Sequence, residues 1–305
     1  MRTFRYSCKR VKNSIVGALK NQGYLISIFL GTTKEMGLRV ALRHTYGWVL
    51  LSIKKLLSLS NGGGVLGAEI RKMQLSNQID MLLGSTVKYG PFTGLCLENQ
   101  HSWLPHNRGN MLLGLYEKEV ISNIVTSSQQ KDYFIDIGSA DGYFALGVLV
   151  GKLFEHSYCF ESMSKGQQLI AKNAVKNNLA NQISLFGTAE IDFLSNIPQS
   201  HIKNSVVLID IEGGEFNLLT EDTLEKLSGA HVIIELHHMF LQDGVEILSK
   251  LRERVEKWFK IEILVTGSRD LSEISEISKW SDTDRWIMCS EGRPMPSIWW
   301  KLTPL

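Results

Sequence analysis

The second half of this sequence predicts an α/β fold: a mostly parallel, seven-stranded sheet with helices on both faces. Three observations carry that reading. From residue 130 onward, short apolar runs alternate with longer segments of helical periodicity. The first run enters a glycine-bearing turn in the stretch "YFIDIGSADGYF" (133–144). Acids stand at or near the ends of three runs, Asp136, Glu161 and Asp210. In an open sheet, ligands bind at the carboxyl ends of the strands, near the point where strand order reverses.

Taken in chain order, the first element is a basic extension. Residues 1–72 hold 13 Lys and Arg against 2 Asp and Glu, a balance of +11; the remainder holds 20 against 29, a balance of −9. The total of +2 therefore hides a basic end on an acidic body. Such an end suits an anionic surface: membrane headgroups, nucleic acid or phosphorylated glycans. Within it, 38–57 reads as an amphipathic helix, with Leu38, Leu42, Val49, Ile53 and Leu57 on one stripe. That helix fits a membrane surface, its own domain or a second copy of the chain in a homo-oligomer. "SNGGGVLG" (60–67) is the linker candidate.

Residues 73–130 read as a helical and loop segment leading into the core and covering the acceptor site, and 131–305 as the ligand-binding domain. Strands are expected at 133–137, 157–161, 183–187, 205–211, 231–236, 261–266 and 285–290. Helices are expected at 142–153, 164–178, 215–227 and 243–258. The last two strands have only a polar connection and are expected to pair antiparallel at one edge. Cys8, Cys96, Cys159 and Cys289 form no close pair, which points to a reducing compartment. No apolar run approaches the ~20 residues of a membrane span. The first twenty residues lack the apolar middle of a secretory signal. The expected location is the cytoplasm, with peripheral contact at the inner membrane face through residues 1–72.

The turn after the first strand runs Asp136-Ile-Gly138-Ser139-Ala-Asp141-Gly142. Gly138 and Gly142 permit close backbone approach or positive φ. The spacing is DxGxxxG, not the GxGxxG that seats a pyrophosphate on a helix N-terminus. An acid at Asp136 repels diphosphate and suits a cationic ligand; S-adenosyl-L-methionine carries an ammonium and a sulfonium and no phosphate. Glu161 follows Gly138 by 23 residues, where an acid accepts hydrogen bonds from both ribose hydroxyls. Ala189 and Glu190, after the third strand, are candidates for the adenine edge.

These residues carry a family resemblance. "MLLGLYEKEV" (111–120), "FIDIGSADGYF" (134–144), "DIEGGEFNLL" (210–219) and "IIELHH" (233–238) resemble the FkbM-type family of S-adenosylmethionine-dependent methyltransferases. The resemblance covers roughly residues 88–240, and "DIEGGE" is its most specific element. It implies the class I methyltransferase (Rossmann-like) fold and O-methylation of sugars, polyketides or cell-surface polysaccharides. It carries Asp136, Gly138, Ser139, Gly142 and Glu161 over as cofactor residues, with Glu117 as a candidate for the methionine end. Residues 1–87 match nothing in it.

Methyl transfer is an in-line displacement, so alignment of acceptor oxygen, methyl and sulfur is the main task. A base beside a sugar hydroxyl adds roughly 10²–10⁴-fold. Asp210 is the candidate acceptor ligand or base and also borders the cofactor. His237 is the alternative base, and Glu212 orients one of them. Mg²⁺ or Mn²⁺ held by Asp210 with Glu235 or His237 suits the donor set without being demanded. "LENQHSWLPHNRGN" (97–110), with His101, Trp103 and His106, is a candidate lid, and Trp299 and Trp300 are candidates to stack on a sugar. "EGRPMPSIWW" (291–300) is given no catalytic role. The reading is an O-methyltransferase of polysaccharide biosynthesis acting on a saccharide or glycolipid precursor. The alternatives are an RNA methyltransferase using the basic arm on nucleic acid, a NAD-dependent oxidoreductase, and a non-catalytic cofactor-binding relative.

Overall fold

The structure, a computed structural model, describes residues 64–100, 105–272, 274–293 and 297–305. The chain divides into two units, Met1–Ile70 and Arg71–Leu305, of which the second is described below. The amphipathic helix at 38–57, and His101 and Trp103 of the candidate lid, lie outside the described residues. Among the described residues no helix is long and apolar enough to cross a membrane.

The first described element is helix α1 (Gly64–Leu83), so the linker expected at 60–67 is already helical from Gly64. Its Leu75 and Ile79, one helical turn apart, are fully buried. Between them Ser76 accepts a 2.5 Å hydrogen bond from the Gly109 N–H. That bond docks a short helix, α2 (Arg108–Leu112). Part of the candidate lid is core: Leu97, Asn107, Arg108 and Asn110 are buried, while Asn99 and Gln100 are exposed. Helix α3 (Lys118–Ser128) then leads to the first strand.

The sheet consists of β1 (Tyr133–Ile137), β2 (His156–Phe160), β3 (Ile183–Phe186), β4 (Ser205–Ile209), β5 (His231–Glu235), β6 (Phe259–Val265) and β7 (Ile298–Pro304). The order across it is β3-β2-β1-β4-β5-β7-β6. All neighbouring pairs are parallel except those of β7, which runs antiparallel to both β5 and β6. This is the Rossmann-like sheet expected from the sequence. Strand order reverses between β1 and β4, which puts the switch point beside the Gly138 turn.

Period-two alternation sorts the strand side chains into two cores. Phe134, Val206, Leu208, Ile233 and Trp299 face the cluster built with α1, α3 and helix α4 (Tyr143–Val150). Ile135, Ile137, Val207, Ile209, Val232, Ile234 and Trp300 face the opposite cluster. Helix α5 (Ser164–Lys176) follows β2, and the β3–β4 crossover holds only a short helix, α6 (Gln199–Lys203). The helix expected at 215–227 is two: α7 (Glu215–Leu218) and α8 (Glu221–Leu227). Thr220 breaks it by capping α8, its hydroxyl accepting from the Thr223 N–H at 3.2 Å. Helix α9 (Gly244–Val255) precedes β6.

Two expectations are corrected. The seventh strand is not 285–290: those residues lie in helix α10 (Asp282–Cys289) and its C-cap. Ser281 caps that helix by accepting from the Asp284 N–H, and Met288 and Cys289 are buried while Trp286 stays exposed. A hydroxyl-plus-acid helix start outweighs a short apolar run. The true strand is 298–304, so Trp299 and Trp300 are strand residues, each 1% exposed. They fill the two cores and cannot stack on a sugar.

Candidate functional site

The site lies at the carboxyl ends of β1, β2, β4 and β5. At the β1 turn, Gly138 has φ +95°, and a Cβ there would lie 1.9 Å from the Asp210 carbonyl oxygen. The Asp210 backbone carbonyl, just past the end of β4, leaves no room for a side chain there. Gly142 (φ +86°) would likewise meet Leu146 and Ile170 of its own fold. Ala140 adopts φ +51°, a left-handed conformation rare for a residue with a side chain.

Glu161 holds that strained turn. Its Oε2 accepts from the Ala140 N–H at 2.8 Å and its Oε1 from the Met163 N–H at 2.7 Å. Gly166 makes room for it, since a Cβ there would lie 2.6 Å from Glu161 Cγ. Asp136 is 2% exposed, and its Oδ2 has no hydrogen-bond partner. Burial pushes its carboxyl up to about 7, against the opposing pull of the Ser139 hydroxyl. Asp141 is buried too, raised by desolvation and held down by the charge of Arg108. Ala189 is partly buried and Glu190 exposed in the segment after β3.

Across the switch point, the β4 and β5 ends assemble a dense charged cluster. After Asp210 the chain turns through Glu212 (φ +53°) and Gly213 (φ +101°) into Glu215. Glu215 is fully buried, and its carboxylate accepts from the N–H groups of Gly213 and His237, each at 2.8 Å. His237 Nδ1 lies 3.4 Å from Glu215 Oε1. Its Nε2 lies 3.6 Å from Asp210 Oδ1, 3.6 Å from Glu212 Oε2 and 3.7 Å from Glu235 Oε2. Glu117, 0% exposed and at φ +44°, heads α3 beside the same cluster.

Arg293 binds these elements together. It pairs with Glu117, with Glu235 at 2.6 Å and with Glu291 at 2.8 Å. Glu291 also binds Arg269 at 2.7 Å, and Arg269 reaches Glu119 and the Leu115 carbonyl. Arg293, Arg269, Glu291 and Glu119 were not foreseen from the sequence, and no local motif marks them. Arg293 falls in the very stretch given no role there. Only the antiparallel pairing of β7 with β5 brings that loop to the strand ends.

The electrostatics follow from this crowding. Burial, then the negative charge of Glu235, raises Asp210 well above the carboxylate range, with His237 opposing. Burial raises Glu117 to about 8 despite Arg293. Glu212 is raised by burial against the pull of His237. For His237, burial acts downward, but Glu215, Asp210, Glu212 and Glu235 outweigh it and bring it to about 10. His238, next in the chain, is lowered by burial. Two triads place ligand atoms within 4.8 Å of one another: Asp210–Glu212–His237 and Glu117–Asp210–Glu235.

No protein-family model matches the chain, and no curated protein matches it. Solved structures do. The chain is similar to the precorrin-6Y C5,15-methyltransferase of Geobacter metallireducens GS-15 at 14% identity and a TM-score of 0.39, over 61% of this chain and 88% of that one. It is similar to Sp1610 of Streptococcus pneumoniae, in complex with S-adenosyl-L-methionine, at 15% identity and a TM-score of 0.41, over 61% and 73%. It is also similar to the m1A22 tRNA methyltransferase TrmK of B. subtilis at 12% identity and a TM-score of 0.38, over 59% and 63%.

Proposed function

We propose that this chain is an S-adenosyl-L-methionine-dependent O-methyltransferase of the FkbM type, acting on a hydroxyl of a saccharide or glycolipid precursor. The observation that supports it best is the acid at the end of β1. Asp136 is buried with an unpartnered oxygen beside a glycine turn at the switch point. A diphosphate would be repelled there, whereas a sulfonium nucleoside with an amino-acid tail brings positive charge to it. In this reading Glu161, whose carboxylate accepts from two backbone amides, takes the ribose hydroxyls, and Ala189 and Glu190 border the adenine edge.

The cofactor supplies an activated methyl group when bound; the chain's residues align and deprotonate the acceptor. Asp210, at the end of β4 beside the switch point, holds the acceptor hydroxyl and takes its proton. His237, at about 10 and therefore cationic near neutrality, steadies the ionised carboxylates and is a poor proton acceptor. Glu212 adjoins both from the turn. The +11 balance of residues 1–72 supports contact with an anionic surface, such as that of a glycolipid-bearing membrane.

Calorimetry with S-adenosylhomocysteine and with NADH tests the cofactor, and tritiated methyl transfer into saccharide and RNA fractions tests the acceptor. Asp210→Asn should bind S-adenosylhomocysteine as the parent does and lose turnover by at least ~10²-fold. Binding of NADH without any sulfonium nucleoside refutes the reading. Label in RNA with none in saccharide replaces the acceptor.

A further inference from the structure

The environment of His237 has a geometry that hydrogen bonding does not account for. The imidazole is 6% exposed, and its Nε2 faces carboxylate oxygens of Asp210, Glu212 and Glu235 at 3.6, 3.6 and 3.7 Å. All three separations exceed hydrogen-bond length. With bonds of about 2.1 Å, two ligands of one ion lie about 3.0 Å apart in octahedral and about 3.4 Å apart in tetrahedral geometry, so a contraction of a few tenths of an ångström brings these atoms onto a shared ion. Behind the ring, Nδ1 faces Glu215 Oε1 at 3.4 Å, and backbone amides fix that carboxylate. A buried carboxylate orienting one imidazole nitrogen while the other faces oxygen donors is the usual support of a metal-binding histidine.

A further observation concerns the polar atoms left unpartnered in this cluster. Glu117, 0% exposed, leaves Oε2 without a hydrogen-bond partner in the same cluster, and Asp210 Oδ1 is likewise buried and unpartnered. Asp210 and Glu212 remain 31% and 35% exposed, so an ion held by them keeps an open side. Three protein ligands with an open position is the pattern of catalytic metal sites, and two carboxylates with one imidazole suit Mn²⁺.

We propose that Asp210, Glu212 and Nε2 of His237 bind one divalent cation of the Mn²⁺ type, with Glu215 orienting the imidazole from behind and Glu235 flanking it. The site stands on geometry alone; its catalytic meaning, Lewis acidity at the acceptor hydroxyl, rests on the methyl-transfer reading above.

The test is titration of chelator-treated full-length protein with MnCl₂, by calorimetry and by Mn²⁺ electron paramagnetic resonance. One Mn²⁺ per chain is expected, lost in His237→Gln and Asp210→Asn and weakened about 10–100-fold in Glu215→Gln. Glu246→Gln, an exposed change on α9, should leave binding unchanged. Glu212→Gln changes a partly exposed turn residue and keeps its shape, so it serves where a buried variant fails to fold. Absence of stoichiometric Mn²⁺, or binding that Glu212→Gln leaves intact, overturns the proposal. So does loss in Glu117→Gln with retention in His237→Gln, which moves the ion to the other triad. S-adenosylhomocysteine is titrated in parallel. Mn²⁺ without it leaves the metal site standing and removes the methyl-transfer reading; the reverse pattern does the opposite.

Discussion

Replacing Gly138 by alanine tests whether this glycine serves the fold or a ligand. The added Cβ would lie 1.9 Å from the Asp210 carbonyl oxygen and 2.9 Å from its carbon, and both atoms are backbone. Relief requires β1 and β4 to separate at their ends, an overpacking cost of about 1–3 kcal/mol. Holding alanine at φ +95° adds about 1–3 kcal/mol of backbone strain. The sum, about 2–6 kcal/mol, lowers the melting temperature of a domain this size by roughly 4–24 °C. The assay is thermal unfolding by circular dichroism without any nucleotide, beside Ser139→Ala, which removes a hydroxyl that donates to the Asp136 carbonyl without adding a Cβ clash. A Gly138→Ala protein that melts with the parent yet fails to bind S-adenosylhomocysteine refutes the reasoning. The glycine would then be reserved for the ligand, as the sequence alone suggests.

Stability of the ion-free protein should fall as pH rises from 5 to 9. Asp136 at about 7 and Glu117 at about 8 lie above the ordinary carboxylate range, so each favours the folded state when protonated and loses that as pH climbs to those values. His237 acts in the same direction: its contribution is full below its ordinary value of about 6.5 and fades as pH passes about 10. Thermal melts across this range check it, and a flat or rising profile contradicts it. Arg293→Met should destabilise by about 3–5 kcal/mol, because it strands Glu117, Glu235 and Glu291 in low-exposure positions. Urea unfolding measures this, and adding Glu117→Gln should recover part of the loss.

The sheet was legible in the sequence because its central strands are buried on both faces. "VVLI" in β4 and "VII" in β5 are unbroken apolar runs, and helical stretches long enough to cross the sheet separate most of the strands. β7 was missed for a local reason: "RWIMCS" has the composition of a strand, while the Ser281 cap that makes it helical lies four residues upstream. The acids at strand ends were legible too, since Asp136, Glu161 and Asp210 each follow an apolar run. Arg293 was not. Besides its neighbour Glu291, its value comes from Glu235 and Glu117, 58 and 176 positions away, and nothing near it in the sequence encodes those two. Gly138 shows a subtler gap: the glycine was legible as special, but the atom that excludes a side chain belongs to Asp210, 72 positions away.

The pairing of Arg293 with Glu117 joins positions 176 apart. During synthesis, β1 to β5 leave the ribosome long before their counter-charge does, so the nascent sheet carries a cleft of mutually repelling acids. Contacts of such long range form late and slowly. The Arg293–Glu117 and Arg293–Glu235 pairs therefore form only once the final loop and β7 dock beside β5.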